Sequence, residues 1–276
     1  MLNGLWFGSS RAATVLIFVH GLGGSAFSRV ELVEKLAIGQ VACLTFSNRG
    51  SGVITRFKKL NAKKPSGYES QKIGMAHEVF TDCIDDLDGA INVAKQMGAK
   101  RIILVGHSTG CQKSVYYLAH RPSSVVKGVV LLAPMSDYAD MVKATSVKDY
   151  KRLVVIAQKL ALTDHAHELM PNKLWPFTVD AQRFLSLFTA GSVEEIFGYA
   201  TNKKPTLLNK VKTPILVALA EQDEFRERPM SEIADWFSKA LSRQKSEVHI
   251  VPEATHGFFE ATEPLSKLIK TWLKKR

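Results

Sequence analysis

The chain has 276 residues, 46% hydrophobic and 23% charged, which suits one large α/β domain or two modest ones with a substantial core. Its 37 Lys+Arg against 26 Asp+Glu give a formal net charge of +11, but aromatics are not interleaved with the basic runs as base-stacking platforms require, so no nucleic-acid partner is expected. No apolar stretch approaches the 18 residues of a membrane helix, and Cys43, Cys83 and Cys111 form no CxxC or disulfide pattern; they read as reduced thiols of a cytoplasmic chain.

The first strong element is the β-branched run 14–19, read as a strand because it is too short for a signal segment and nothing basic lies in residues 1–10. It ends in "HGLGG", residues 20–24. A helix over 30–37 and a strand over 41–46 follow, then the turn-like "SNRGSG". Residues 56–73 are polar and basic and read as loop. From 76 to 97 apolar residues recur every three or four positions, the mark of a helix, and Gly98 stops it. The run 101–105 is a buried strand, 111–120 a helix, and 125–133 another buried strand.

Strand and helix in alternation predict a mostly parallel sheet with helices on both faces. Between 134 and 205 the alternation stops. Segments 146–161, 178–190 and 192–201 read as helices, so residues 135–204 are expected to form a helical cap inserted into a sheet domain made of 1–134 and 205–276. A strand over 214–220, a helix over 229–241, a strand over 247–251 and a helix over 262–275 complete the chain.

The chemistry centres on "GHSTG", residues 106–110. A buried strand ends at Gly106 and a helix starts just past Ser108, so a sharp turn would project the hydroxyl from the sheet edge, with Gly106 and Gly110 relieving steric conflict. A serine hydroxyl needs a base, and the base needs an orienting acid. Asp223 lies just beyond the strand ending at 220, and His256 in the loop after the strand ending at 251. All three positions fall at the carboxyl ends of parallel strands, where open α/β sheets gather their sites. Glu221, Glu224 and Asp137 are the competing acids. The backbone N–H groups of Leu22 and Thr109 are the expected oxyanion donors, and His20 is expected to brace its strand end rather than act as a base.

The ordered set "HGLGG", "NRGSG", "GHSTG", "EQDEF" and "THGFF" resembles the serine α/β-hydrolase fold superfamily along nearly the whole chain. "GHSTGCQ" is also similar to a subgroup containing siderophore ester hydrolases. The resemblance implies an α/β-hydrolase fold and hydrolysis of carboxylic esters of small to medium acyl or aryl groups. Lactones, thioesters, amides and C–C bonds are alternatives for the same machinery, as is a non-catalytic ligand-binding protein. The fold often begins with two further antiparallel strands; "LNGLWF" has room for one, so a sheet of about seven strands is expected. Trp175, Phe188, Phe258 and His107 are the candidate substrate contacts. No metal or organic cofactor is implied. The H-x-H pair His165 and His167 is set aside as a metal site because no further ligand lies near it in sequence.

Overall fold

The computed structural model describes residues 2–171, 177–242 and 245–275. The strands are β1 (Gly4–Phe7), β2 (Thr14–Val19), β3 (Val41–Phe46), β4 (Thr55–Leu60), β5 (Tyr68–Ile73), β6 (Arg101–His107), β7 (Val126–Leu132), β8 (Ile215–Ala220) and β9 (Glu247–Val251). The helices are α1 (Val30–Leu36), α2 (Cys83–Gln96), α3 (Thr109–His120), α4 (Asp137–Ala144), α5 (Val147–Ala161), α6 (Ala181–Phe188), α7 (Thr206–Lys210), α8 (Met230–Ala240) and α9 (Thr262–Lys274).

Among the described residues seven strands form one sheet in the order β1-β3-β2-β6-β7-β8-β9, with β1 antiparallel and every other pairing parallel. The central strands are continuous apolar runs because both faces are covered. Val15, Ile17, Leu104, Val129 and Val217 face a core closed by α2, α3 and α8, while Leu16, Ile103, Val130 and Leu216 face one closed by α1 and α9. Helix α9 buries Leu265, Ile269 and Trp272 at helical spacing. Gly128 in β7 makes room for it: a Cβ there would lie 2.7 Å from the Trp272 ring. The architecture is the α/β-hydrolase fold with a helical insertion, as the sequence predicted.

Three local expectations are corrected. Residues 56–73 are not loop but the antiparallel hairpin of β4 and β5, paired from Thr55–Ile73 to Leu60–Tyr68. Its strands stay polar because neither face packs on a core, so the usual alternation is missing. The helix expected from 76 starts at Cys83, after an extended Val79 and a 3₁₀ turn over Phe80–Asp82. Segment 192–201 is turns rather than helix.

That last segment also changes the picture of the insertion. Helices α4, α5 and α6 share a small core of their own around Met141, Leu153, Phe184 and Phe188. Ile196, Phe197 and Tyr199 instead join the sheet-domain core, with Phe197 5.3 Å from Phe237 and Tyr199 5.7 Å from Trp236 between ring centres. Among the described residues no helix is long and apolar enough to cross a membrane.

Candidate active site

Ser108 occupies the turn between β6 and α3 at φ 53°, ψ −127°, a conformation an L-residue adopts only under constraint. The constraint is steric. A Cβ at Gly106 would strike the Gly110 carbonyl, and one at Gly110 the Val19 carbonyl, so strand and helix close to a distance only glycine permits. The Cys111 thiol donates to the Gly106 and Leu132 carbonyls at 3.2 and 3.3 Å and braces the turn from beneath.

Asp223 and His256 meet although 33 residues apart. His256 Nδ1 donates to Asp223 Oδ2 at 2.8 Å, which leaves Nε2 as the free lone pair of the neutral ring. Asp223 Oδ1 accepts from the Phe225 amide at 3.0 Å. The competing acids are used elsewhere. Glu224 accepts from the His256 backbone N–H at 2.9 Å, Glu221 from the Glu253 amide, and Asp137 from Gln112 Nε2 at 3.0 Å. Burial, reinforced by Glu194, pushes the Asp137 carboxyl well above the usual range, which suits an acid held neutral.

Ser108 and His256 line one cavity of about 260 Å³, without a hydrogen bond between them. Its apolar wall comes from Phe18, Leu22, Met135, Phe177, Phe188 and Phe225, and the Phe225 ring stands edge-on to His256 at 4.8 Å. Of the candidate substrate contacts, Phe188 borders this cavity. Trp175 lies outside the described residues. Phe258 does not line the cavity: at φ 51° it turns inward, 2% exposed, and joins the cluster with Ala254, Ala261 and Leu265 beneath α9. Met135, Phe225, Arg29 and Asp140 also line the cavity; of these only Phe225, at the end of "EQDEF", lies in a motif the sequence singled out.

His107 lines the cavity but is tied to the imidazole loop, its Nε2 2.9 Å from the His256 carbonyl and 3.3 Å from Arg29 Nη2. One nitrogen cannot donate and accept at once. The shorter contact assigns Nε2–H to the carbonyl, and burial, then Arg29, holds the ring well below the normal histidine range and so neutral. Arg29 also donates to the Gly257 carbonyl, and its guanidinium stacks on Phe259 at 4.4 Å. Burial lowers Arg29 to about 10.

The "HGLGG" loop brings its peptide against the serine: a Cβ on Gly21 would lie 2.8 Å from that of Ser108. The Gly21 carbonyl accepts from Gly24 N at 3.1 Å and from His20 Nδ1 at 2.8 Å. Because the Asn48 amide donates to His20 Nε2 at 3.0 Å, the His20 proton resides on Nδ1. In a trans peptide N–H and C=O point opposite ways, so fixing the Gly21 oxygen fixes the Leu22 N–H on the other side. Among the described residues neither the Leu22 nor the Thr109 amide has a protein acceptor.

Burial, with Lys113, depresses His20 to about 4 from an ordinary 6.5. The unfolded chain then takes up a proton that the folded chain refuses. The resulting stability is present above pH 6.5 and is lost as pH falls through 4, on the order of 3 kcal/mol by linkage. His20→Phe is expected to flatten this acid slope in urea titrations. A pH–stability slope equal to the native one would overturn the assignment.

No curated protein matches the sequence. Solved structures match over nearly the full length. A siderophore hydrolase, EstB from Aspergillus fumigatus, is 18% identical with TM-score 0.64, covering 99% of this chain and 94% of that one. Est1E from Butyrivibrio proteoclasticus, with ferulic acid bound, is 17% identical with TM-score 0.65 over 99% and 94%. A monoacylglycerol lipase from Paleococcus ferrophilus is 18% identical with TM-score 0.62 over 99% and 98%. At these identities the likeness is one of fold. One family model spans residues 7–274, and the chain therefore belongs to the protein family of unknown function DUF1749.

Proposed function

We propose that the protein is a serine hydrolase of carboxylic esters with small to medium acyl or aryl groups. Ser108 is the nucleophile, His256 the general base and Asp223 its orienting acid, and the Leu22 and Thr109 amides bind the oxyanion. The observation that carries this reading is the Asp223–His256 hydrogen bond at the wall of the cavity that the strained Ser108 enters.

The steps follow from the chemistry. His256 Nε2 takes the hydroxyl proton as Ser108 Oγ attacks the ester carbonyl carbon, and Asp223 stabilises the imidazolium formed. The carbonyl electron pair moves onto oxygen, held by the two amides and the N-terminus of α3. The intermediate collapses, His256 returns the proton to the departing alcohol, and water repeats the sequence on the acyl-enzyme. Residues 135–204 act as the cap over this cavity, and Ile196–Tyr199 anchor it to the sheet domain. The apolar side chains of the wall favour an aryl or short acyl group. Hydrolysis of esters is in keeping with the names of the similar structures.

A fluorophosphonate probe tests the reading. The native protein is expected to label at one site within minutes, and Ser108→Ala not at all. A native protein that stays folded and unlabelled would make the cavity a binding site without turnover.

A further inference from the structure

Away from this cavity, two histidines and an aspartate converge where the insertion meets the sheet domain. His77 lies between β5 and α2. His167 follows α5, and Asp180 immediately precedes α6. His77 Nδ1 and His167 Nδ1 approach the same oxygen, Asp180 Oδ2, at 2.9 and 2.8 Å. The three ligand atoms all lie within 4.8 Å of one another, and none of the three residues lines the active-site cavity.

We propose that His77, His167 and Asp180 form a divalent-metal site that takes Zn²⁺ and clamps the cap to the sheet domain. Two imidazoles and one carboxylate are a zinc-type donor set, and three protein ligands leave a fourth tetrahedral position for water. Ligands about 2.1 Å from zinc sit roughly 3.4 Å apart, so closing the cluster needs a movement of an ångström or so. His167 can supply it, because its side chain is 64% exposed. His77 and Asp180 are held. Asp180 is fully buried, its Oδ1 caps α6 by accepting from the Arg183 amide at 2.7 Å, and its own amide donates to the Ala76 carbonyl at 2.8 Å. His77 Nε2 is buried with no hydrogen-bond partner. Nothing else therefore fixes its tautomer, and Nδ1 can offer either a proton to Asp180 or a lone pair to a metal.

The arrangement also separates the H-x-H pair. His165 Nδ1 is engaged by Glu168 on the surface, and only His167 turns inward. The additional ligands come from 90 residues upstream and 13 downstream of His167 (positions 77 and 180), where a search of the neighbouring sequence does not reach.

The test uses the full chain, stripped with a chelator and titrated with ZnCl₂ by calorimetry, with metal content measured after desalting. One zinc per chain is expected, and at 100-fold excess over Kd the melting temperature should rise by about 5–10 °C. His167→Ala removes an exposed ligand. Asp180→Asn keeps an oxygen to cap α6 while removing the charge. Each should weaken zinc binding by more than the roughly 10- to 100-fold that loss of an outer partner costs. A folded native chain that takes up no zinc, or variants that bind it as tightly as the native chain does, would overturn the proposal. Neither result depends on ester hydrolysis.

Discussion

Ser108→Ala is expected to lower kcat on nitrophenyl esters by about 10⁶-fold, and Asp223→Asn by about 10⁴-fold. The two differ for a physical reason. Without the hydroxyl no acyl-enzyme can form, and only binding and the oxyanion amides remain to assist water. Asparagine at 223 keeps the shape but offers its NH₂ group or carbonyl where His256 now meets a carboxylate at 2.8 Å, so the ring is no longer held with its lone pair toward the serine. Both variants should fold, because Ser108 makes no side-chain cap bond to α3 and Asn at 223 retains an acceptor for the Phe225 amide. Single-turnover kinetics on the purified variants would check this. Ser108→Ala retaining a hundredth of native activity would refute the nucleophile assignment.

Arg183→Leu is expected to cost about 3–5 kcal/mol of stability, the range for removing one partner of a buried ion pair. Arg183 is fully buried on α6 and bonds both Glu194 and Glu78, the latter at 3.1 Å. Glu78 also receives Lys113 Nζ from α3 at 2.6 Å. Two cations and two anions thus balance in the interior. Burial works to raise the Glu78 carboxyl, but Lys113 and Arg183 outweigh it and hold it below its ordinary range. Leucine would leave two carboxylates with one ammonium, a buried net charge. Urea denaturation should show the midpoint falling. The exposed Lys267–Glu263 pair on α9 is the control, and Lys267→Ala, which leaves Glu263 its contact with Lys35, should leave the midpoint unmoved. Because the network joins α6 to α3, the helix that begins after Ser108, Arg183→Leu should also loosen the cap and accelerate proteolysis within 135–204.

Much of this protein is decided by local pattern. The continuous apolar runs of β2, β6, β7 and β8 admit only a sheet covered on both faces, and the turn glycines at 106 and 110 mark where the proposed nucleophile stands. Position relative to strand ends was enough to select Asp223 and His256 as candidates, because parallel strands deliver their carboxyl ends to one edge. The hairpin of β4 and β5 is not marked in the sequence because its polar strands bury only Ile73, and burial is what writes alternation into a sequence. Phe258 shows the limit of chain proximity. It is close to His256 in the chain, but a left-handed backbone at 258 turns its ring into the core.

Everything that depends on which distant side chains meet was left to the tertiary structure. Phe225 and Met135 line the cavity, Ile196–Tyr199 anchor to the sheet domain, and Lys113, Glu78, Arg183 and Glu194 neutralise one another in the interior. Likewise His77 and Asp180 reach His167 only once the insertion is folded back. Such contacts are set by the docking of α4 to α6 on the sheet, a long-range event for which no periodicity within the chain is a signal.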